Sequence, residues 1–196
     1  MAASSIVQKV ALTSGIAVAA GVFAGLALLR RRRFYDVSGR NALVTGGGRG
    51  LGLEIARILV RKGANVAICA RDPSEVQRAL VDLRGARAHE NVRVVGETCD
   101  LRDGAEIDRM LAAVRRNLGP IDVLVNNAGT IQVGPLDAMS IENFEEAMKL
   151  HCYAPLRTIL GVRESMRERG GGRIANIASI GGVVSVPHLL PYSASK

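Results

Sequence analysis

From Arg40 onward the hydrophobic and polar positions alternate between two rhythms. Short apolar runs rich in β-formers are each followed by a stretch with apolar residues at helical spacing. Residues 42–45 predict a first strand and residues 51–62 its helix, which Gly63 closes. Residues 65–70 predict a second strand. Asp72-Pro73-Ser74 then reads as a helix start, a capping carboxylate before a first-turn proline, and the pattern runs to about Arg84. A third strand is predicted over 92–99 and a helix over 104–118, stopped by Gly119-Pro120. Residues 121–125 predict a fourth strand, 141–169 one long helix, and 173–178 a fifth strand. Strict alternation of helices with apolar strands implies a parallel sheet covered on both faces. The expected fold class is α/β, a doubly wound parallel sheet.

Upstream of Arg40 the alternation is lost. The run that opens at Val10 and closes at Leu29 holds twenty residues without a charge, enough to cross a bilayer as a helix. Arg30 to Arg33 follow at once, and the positive-inside tendency keeps them in the cytoplasm. The expected organisation is an N-terminal tail at 1–9, a transmembrane anchor at 10–29, a basic linker at 30–38 and a globular domain at 39–196. That makes the protein single-pass, with its globular domain on the cytoplasmic side of the membrane. Two rival readings stay open, a cleaved signal peptide ending near Ala17-Val18-Ala19 and a simple apolar tail. Against the first, the apolar run continues ten residues past that site and the arginines lie downstream.

The arginine run also changes the meaning of the net charge of +8, because it supplies four of those charges in one place. Elsewhere basic residues are interleaved with acids. There is no Trp, so stacking platforms for nucleic acid are lacking and no nucleic-acid partner is expected. Cys69, Cys99 and Cys152 show no metal-ligand spacing. Cys69 and Cys99, at the ends of apolar runs, read as small core residues, the set fits a reducing compartment, and no metal is expected.

The chemistry is concentrated at turns. Thr45-Gly46-Gly47-Gly48-Arg49-Gly50-Leu51-Gly52 carries the first strand into its helix. Such a turn leaves bare backbone N–H groups at a helix N-terminus, a ready site for a pyrophosphate. At the end of the second strand, where an acid would hold a ribose 2′-hydroxyl, the chain has Ala70 followed by Arg71. Arg49 and Arg71 together suit a 2′-phosphate, which favours NADP(H) over NAD(H). Further on, Ser179 ends the fifth strand and Tyr192 and Lys196 lie four residues apart on one helical face. An ammonium beside a phenol stabilises the phenolate, which lets tyrosine exchange a proton with a substrate oxygen.

Taken together, Gly46-x-x-x-Gly50-x-Gly52, Asp100-Leu101, Asn126-Asn127-Ala128-Gly129, Ser179 and Tyr192-x-x-x-Lys196 resemble the short-chain dehydrogenase/reductase family, in order and context, from about Ser38 to the last residue. The resemblance implies a Rossmann-type fold and NAD(P)(H)-dependent interconversion of a carbonyl and an alcohol. It implies that Gly46, Gly50 and Gly52 line the pyrophosphate, with Thr45, Leu51 and Asn127 in the same cofactor-binding motifs. Asp100 and Leu101 would sit at the adenine, and Asn126, Ala128 and Gly129 would support the cofactor and the central sheet. Tyr192 would be the acid/base, Ser179 the partner of the substrate oxygen, and Lys196 the holder of the nicotinamide ribose. Two departures stand out. Aligning Phe144 with the family's usual aromatic puts His151 where many members have asparagine, and histidine there is a candidate proton relay. The family also has a sixth strand and a substrate-covering segment beyond the lysine, so the sheet is expected to be incomplete at its C-terminal side, in a piece of a longer product with little turnover of its own. An active site held beside a bilayer, with the apolar stretch at 183–190, suits a lipophilic carbonyl or alcohol, and the family's habit suggests a homodimer. The alternative expectation is a membrane-tethered nucleotide-binding or scaffold module without catalysis.

Overall fold

Asn41–Thr45 (β1), Asn65–Ala70 (β2), Val94–Thr98 (β3), Val123–Asn126 (β4) and Arg173–Asn176 (β5) pair as one parallel sheet in the order β3-β2-β1-β4-β5. The structure, a computed structural model, describes residues 35–184 and 186–196. Val44 at the centre of the sheet is in register with Ile68 on one side and Val125 on the other. The central strands are buried on both faces because helices cover both. Gly50–Arg61 (α1) and Pro73–Gly85 (α2) pack together on one face of β1, β2 and β3. Gly104–Leu118 (α3) packs on Ala154–Glu168 (α5) over the other face. There Leu43, Ala67 and Leu124 meet Leu111, Val114, Val162 and Met166. β5 is an edge strand, exposed along its whole length.

The ends of the elements follow their local chemistry. Asp72 accepts the Ser74 amide at 2.8 Å ahead of Pro73, and Asp103 accepts the Ala105 amide at 2.8 Å to open α3. β4 starts later than its apolar pattern because Asp122 is drawn aside, accepting the Asn41 amide at 2.9 Å and pairing with Arg169.

The long helix predicted over 141–169 is interrupted. Ile141–Met148 (α4) and α5 are joined by a π-helical turn, Lys149–Tyr153. Pro155 accounts for it. Its nitrogen has no hydrogen for the His151 carbonyl four residues back, and its ring crowds that carbonyl. The helix widens, and the Ala154 amide donates instead to the Lys149 carbonyl, five residues back. A last short helix, Leu190–Ser195 (α6), packs against α4 and the 3₁₀ turn Ile180–Gly182.

Among the described residues no helix is long and apolar enough to cross a membrane. The predicted anchor at 10–29, the tail before it and the first part of the basic linker lie outside the described residues.

Candidate active site

Strand order reverses between β1 and β4, and the crevice beyond their carboxyl ends is where open α/β sheets bind ligands. The glycine turn fills the floor of that crevice. Gly46 has φ +64, and a Cβ on it would come within 2.8 Å of the Ala128 Cα. A Cβ on Gly52 would collide with the Gly46 carbonyl oxygen and the Asn127 side-chain amide. The turn is therefore pressed against the end of β4 with no room for a side chain. Arg49 at the N-cap of α1 offers no side-chain cap, and no acid stands in the first turn, so the amides of Gly50 and Leu51 face an anion site.

A cleft of about 950 Å³ runs from this turn in both directions. Towards the end of β2 it is lined by Arg49, Arg71, Asp72 and Glu75, and past β3 by Asp100, Leu101 and Arg102. Ala128 and Gly129 continue the wall to Tyr192 and Lys196. Two acids crowd the arginine end, Glu75, which the sequence reading did not single out, and Asp72, which it read only as a helix cap. Arg49 Nε lies 3.5 Å from Glu75 Oε1, and Asp72 follows Arg71 directly. The Asp100 carboxylate is taken by Arg102, whose Nη2 donates at 2.6 Å. That hydrogen bond holds the Asp100 carboxyl below its ordinary range.

Thr45 does not line the cleft. It is buried, and its hydroxyl oxygen accepts the amides of Asn127 at 3.0 Å and Ala128 at 3.2 Å. It supports the glycine turn from behind, while Asn127, which lines the cleft, is tied to the turn by its side chain, which donates to the carbonyls of Thr45 and Gly46. Behind them the buried Thr158 hydroxyl donates to Asn126 Oδ1 at 2.8 Å, and Asn126 donates to Asn176 at 2.9 Å. Cys69, beneath the turn, has its thiol pushed up to about 12 by burial and stays protonated.

At the far end the structure brings Tyr192, Lys196, Ser179 and His151 together. α6 begins with Pro191 in its first turn, as expected. Lys196 Nζ donates to the Ile177 carbonyl at 3.0 Å and stands 5.9 Å from the centre of the Tyr192 ring. Ser179 caps the 3₁₀ turn by accepting the Gly181 amide at 3.1 Å. A Cβ on Gly181 would lie 3.2 Å from Tyr192 Cε1 and 3.4 Å from Ser179 Oγ, so phenol and serine meet over this glycine. His151 does not line the cleft either. It lies behind Tyr192, the two rings edge to face at 5.5 Å, with both nitrogens hydrogen-bonded. Its imidazole is pushed down to about 4, first by burial and then by the Lys196 ammonium, so the ring is neutral near pH 7. Ser195, inside the Tyr-x-x-x-Lys segment, is one of its partners and was not singled out by the sequence. Its signal was a hydroxyl one turn beyond Pro191.

Sheet order, glycine turn and tyrosine–lysine pair together define a nucleotide-binding α/β domain of the doubly wound class. The chain belongs to the short chain dehydrogenase family, whose sequence profile matches residues 40–196. A Streptomyces coelicolor protein provisionally described as a ketoacyl reductase is 43% identical over 157 residues, covering 79% of this chain and 59% of that protein. The crystal structure of a point variant of actinorhodin polyketide ketoreductase with NADPH superposes with a TM-score of 0.75 at 42% identity, over 80% of this chain and 59% of that one. A xylitol dehydrogenase bound to NAD+ superposes equally well, TM-score 0.75 at 27% identity, over 82% and 60%. The chain thus spans about three fifths of the length of these relatives.

Proposed function

We propose that this protein is an NADP(H)-dependent oxidoreductase that interconverts a carbonyl and an alcohol. One observation carries the reading: Tyr192 and Lys196 close the same cleft that the glycine turn opens. The uncapped α1 N-terminus and the side-chain-free approach at Gly46 and Gly52 fit a pyrophosphate. The reduced nicotinamide, when bound, supplies a hydride to the carbonyl carbon. The chain's own residues do the rest. The Ser179 hydroxyl holds the substrate oxygen over Gly181, the Tyr192 hydroxyl gives that oxygen its proton, and the Lys196 charge stabilises the phenolate left behind. In the alcohol direction the same proton returns to Tyr192.

The fold does not choose between the cofactors, since NADPH-bound and NAD+-bound relatives share it. Arg49 and Arg71 favour the 2′-phosphate, and the match to an NADPH-bound ketoreductase supports them. Apolar substrates are favoured by the exposed side chains on the 3₁₀ turn that α6 packs against and just after it: Ile180 is 73% exposed and Val183 83%. The uncharged run at residues 10–29 supports a membrane anchor.

The test is NADPH oxidation by the full-length protein against a panel of lipophilic ketones and aldehydes. Turnover of ketones with NADPH, and markedly slower turnover with NADH, is expected. Cofactor binding without turnover of any carbonyl would refute the reading.

A further inference from the structure

We propose that His151 is a positioning residue: a neutral ring protonated at Nδ1 that clasps the Tyr192–Lys196 helix to the loop after β4, and carries no proton between lysine and solvent. The proposal rests on the roles given above to Tyr192 and Lys196.

The hydrogen bonds determine the tautomer. The Thr130 amide donates to Nε2 at 3.1 Å, so that nitrogen presents its lone pair. Ser195 Oγ lies 2.7 Å from Nδ1. The single Ser195 proton goes to the Pro191 carbonyl at 2.7 Å or the Tyr192 carbonyl at 3.1 Å, so towards the ring Oγ accepts. Nδ1 must therefore carry the hydrogen. With both nitrogens satisfied, the ring has no lone pair left to take up a proton and no free N–H to pass on. This is the wrong state for a relay and the right one for a brace.

Electrostatics agree. The charged and titratable groups that face the ring come from α6, namely Lys196 and Tyr192. His151 Nε2 and Lys196 Nζ stand 3.3 Å and 3.4 Å from the point where a Cβ on Gly129 would lie. A proton on Nε2 would set two cations against one glycine and break the Thr130 bond. The Thr130 backbone donates here, so its bond too belongs to the neutral ring.

The clasp joins three elements. His151 sits on the π turn that Pro155 imposes. Through Thr130 it holds the loop beside Gly129, through Ser195 the core of α6, and with its ring edge the Tyr192 phenol. Ser195 is buried and its hydroxyl already bridges the first turn of α6. Removing His151 frees the angle at which that short helix presents Tyr192 and Lys196. The expected loss falls on kcat, while cofactor affinity at the glycine turn stays the same.

Two measurements on the full-length protein, labelled with ¹⁵N-histidine, test this separately from the reaction. A two-bond ¹H–¹⁵N correlation spectrum, with His151 assigned from a His151→Asn sample, should show Nδ1 protonated and Nε2 bare, with no titration above about pH 5. An Nε2–H tautomer, or a ring that titrates near the ordinary value of about 6.5, overturns the proposal whether or not the protein turns over a substrate. In kinetics, His151→Ala and Ser195→Ala should each lower kcat about tenfold with the KM for NADPH unchanged, and the double variant should be little worse than either. His151→Gln, an amide that accepts on one side and donates on the other without titrating, should keep kcat within about threefold and leave the pH profile in place. Loss of a limb of that profile in His151→Gln, or fully additive losses, would show a proton carrier instead. A protein with the expected spectrum but no turnover would retain the clasp and sink the reaction assigned to Tyr192.

Discussion

Arg71 and Arg49 line the same end of the cleft, and under the proposed function they would select the cofactor. Each guanidinium can make charge-assisted hydrogen bonds to a 2′-phosphate, worth roughly 1.5–3 kcal/mol. Arg71→Ala is therefore expected to weaken NADPH binding by about tenfold to a hundredfold and to leave NADH binding nearly unchanged, as read by fluorescence titration of both cofactors. Glu75 would act in the opposite sense, because its carboxylate pairs with Arg49 at 3.5 Å and lines the same end of the cleft. Glu75→Gln should tighten NADPH binding several-fold with no gain for NADH. Equal effects on the two cofactors would place the arginines outside the ribose site. The arginines were legible in the sequence because they fall at fixed offsets from the glycine turn and the second strand. Glu75 was not, because nothing in the sequence ties it to the glycine turn, and only folding α2 beside the turn brings it there. Ser195 and Thr130 escaped for the same reason. They lie 44 and 21 positions from His151, and no periodicity links them.

At the level of elements, the strand-to-helix turn and the widened turn before α5 are the two devices that place the chemistry. Gly52→Ala puts a methyl group into the Gly46 carbonyl, so the turn must open or α1 must shift. We expect a loss of about 2 kcal/mol or more in stability and loss of NADPH binding, seen together by thermal unfolding with and without cofactor. Gly50→Ala is the control for the space around the turn, since nothing stands within 4 Å of a Cβ there and only its φ of +54 resists the change. The helix boundaries were readable where side chains cap them. Asp72-Pro73 and Asp103 mark the starts of α2 and α3, and β2 lies where its six apolar-rich residues predicted. The π turn was missed because a helical period of 3.6 tolerates one extra residue without a visible break. Its signal was Pro155, a residue that cannot complete the backbone bond to His151.

Considered as a whole, the domain places one half-buried histidine against a lysine, and this gives its stability a pH dependence. The His151 pKa is about 4 when folded and about 6.5 when unfolded. Between those values the unfolded chain binds a proton that the native one does not, so stability must fall as pH drops from about 6.5 towards 4. In chemical denaturation across that window, His151→Asn should flatten part of the fall, and an unchanged slope would place the titration elsewhere. The parallel sheet and its two helical layers were implied by the alternation of apolar runs, because strands buried on both faces leave few other arrangements, whereas the strand order and the cleft appear only in the fold. The central claim is that Tyr192 protonates a carbonyl held against a nicotinamide in this cleft. It is tested most directly by following deuterium from 4-deuterated NADPH into the alcohol product, in the parent protein and in Tyr192→Phe. The account predicts label at the carbinol carbon for the parent, and a fall of about a hundredfold or more in its rate of appearance for Tyr192→Phe with NADPH affinity intact. Label transfer by Tyr192→Phe at the parent's rate would contradict it.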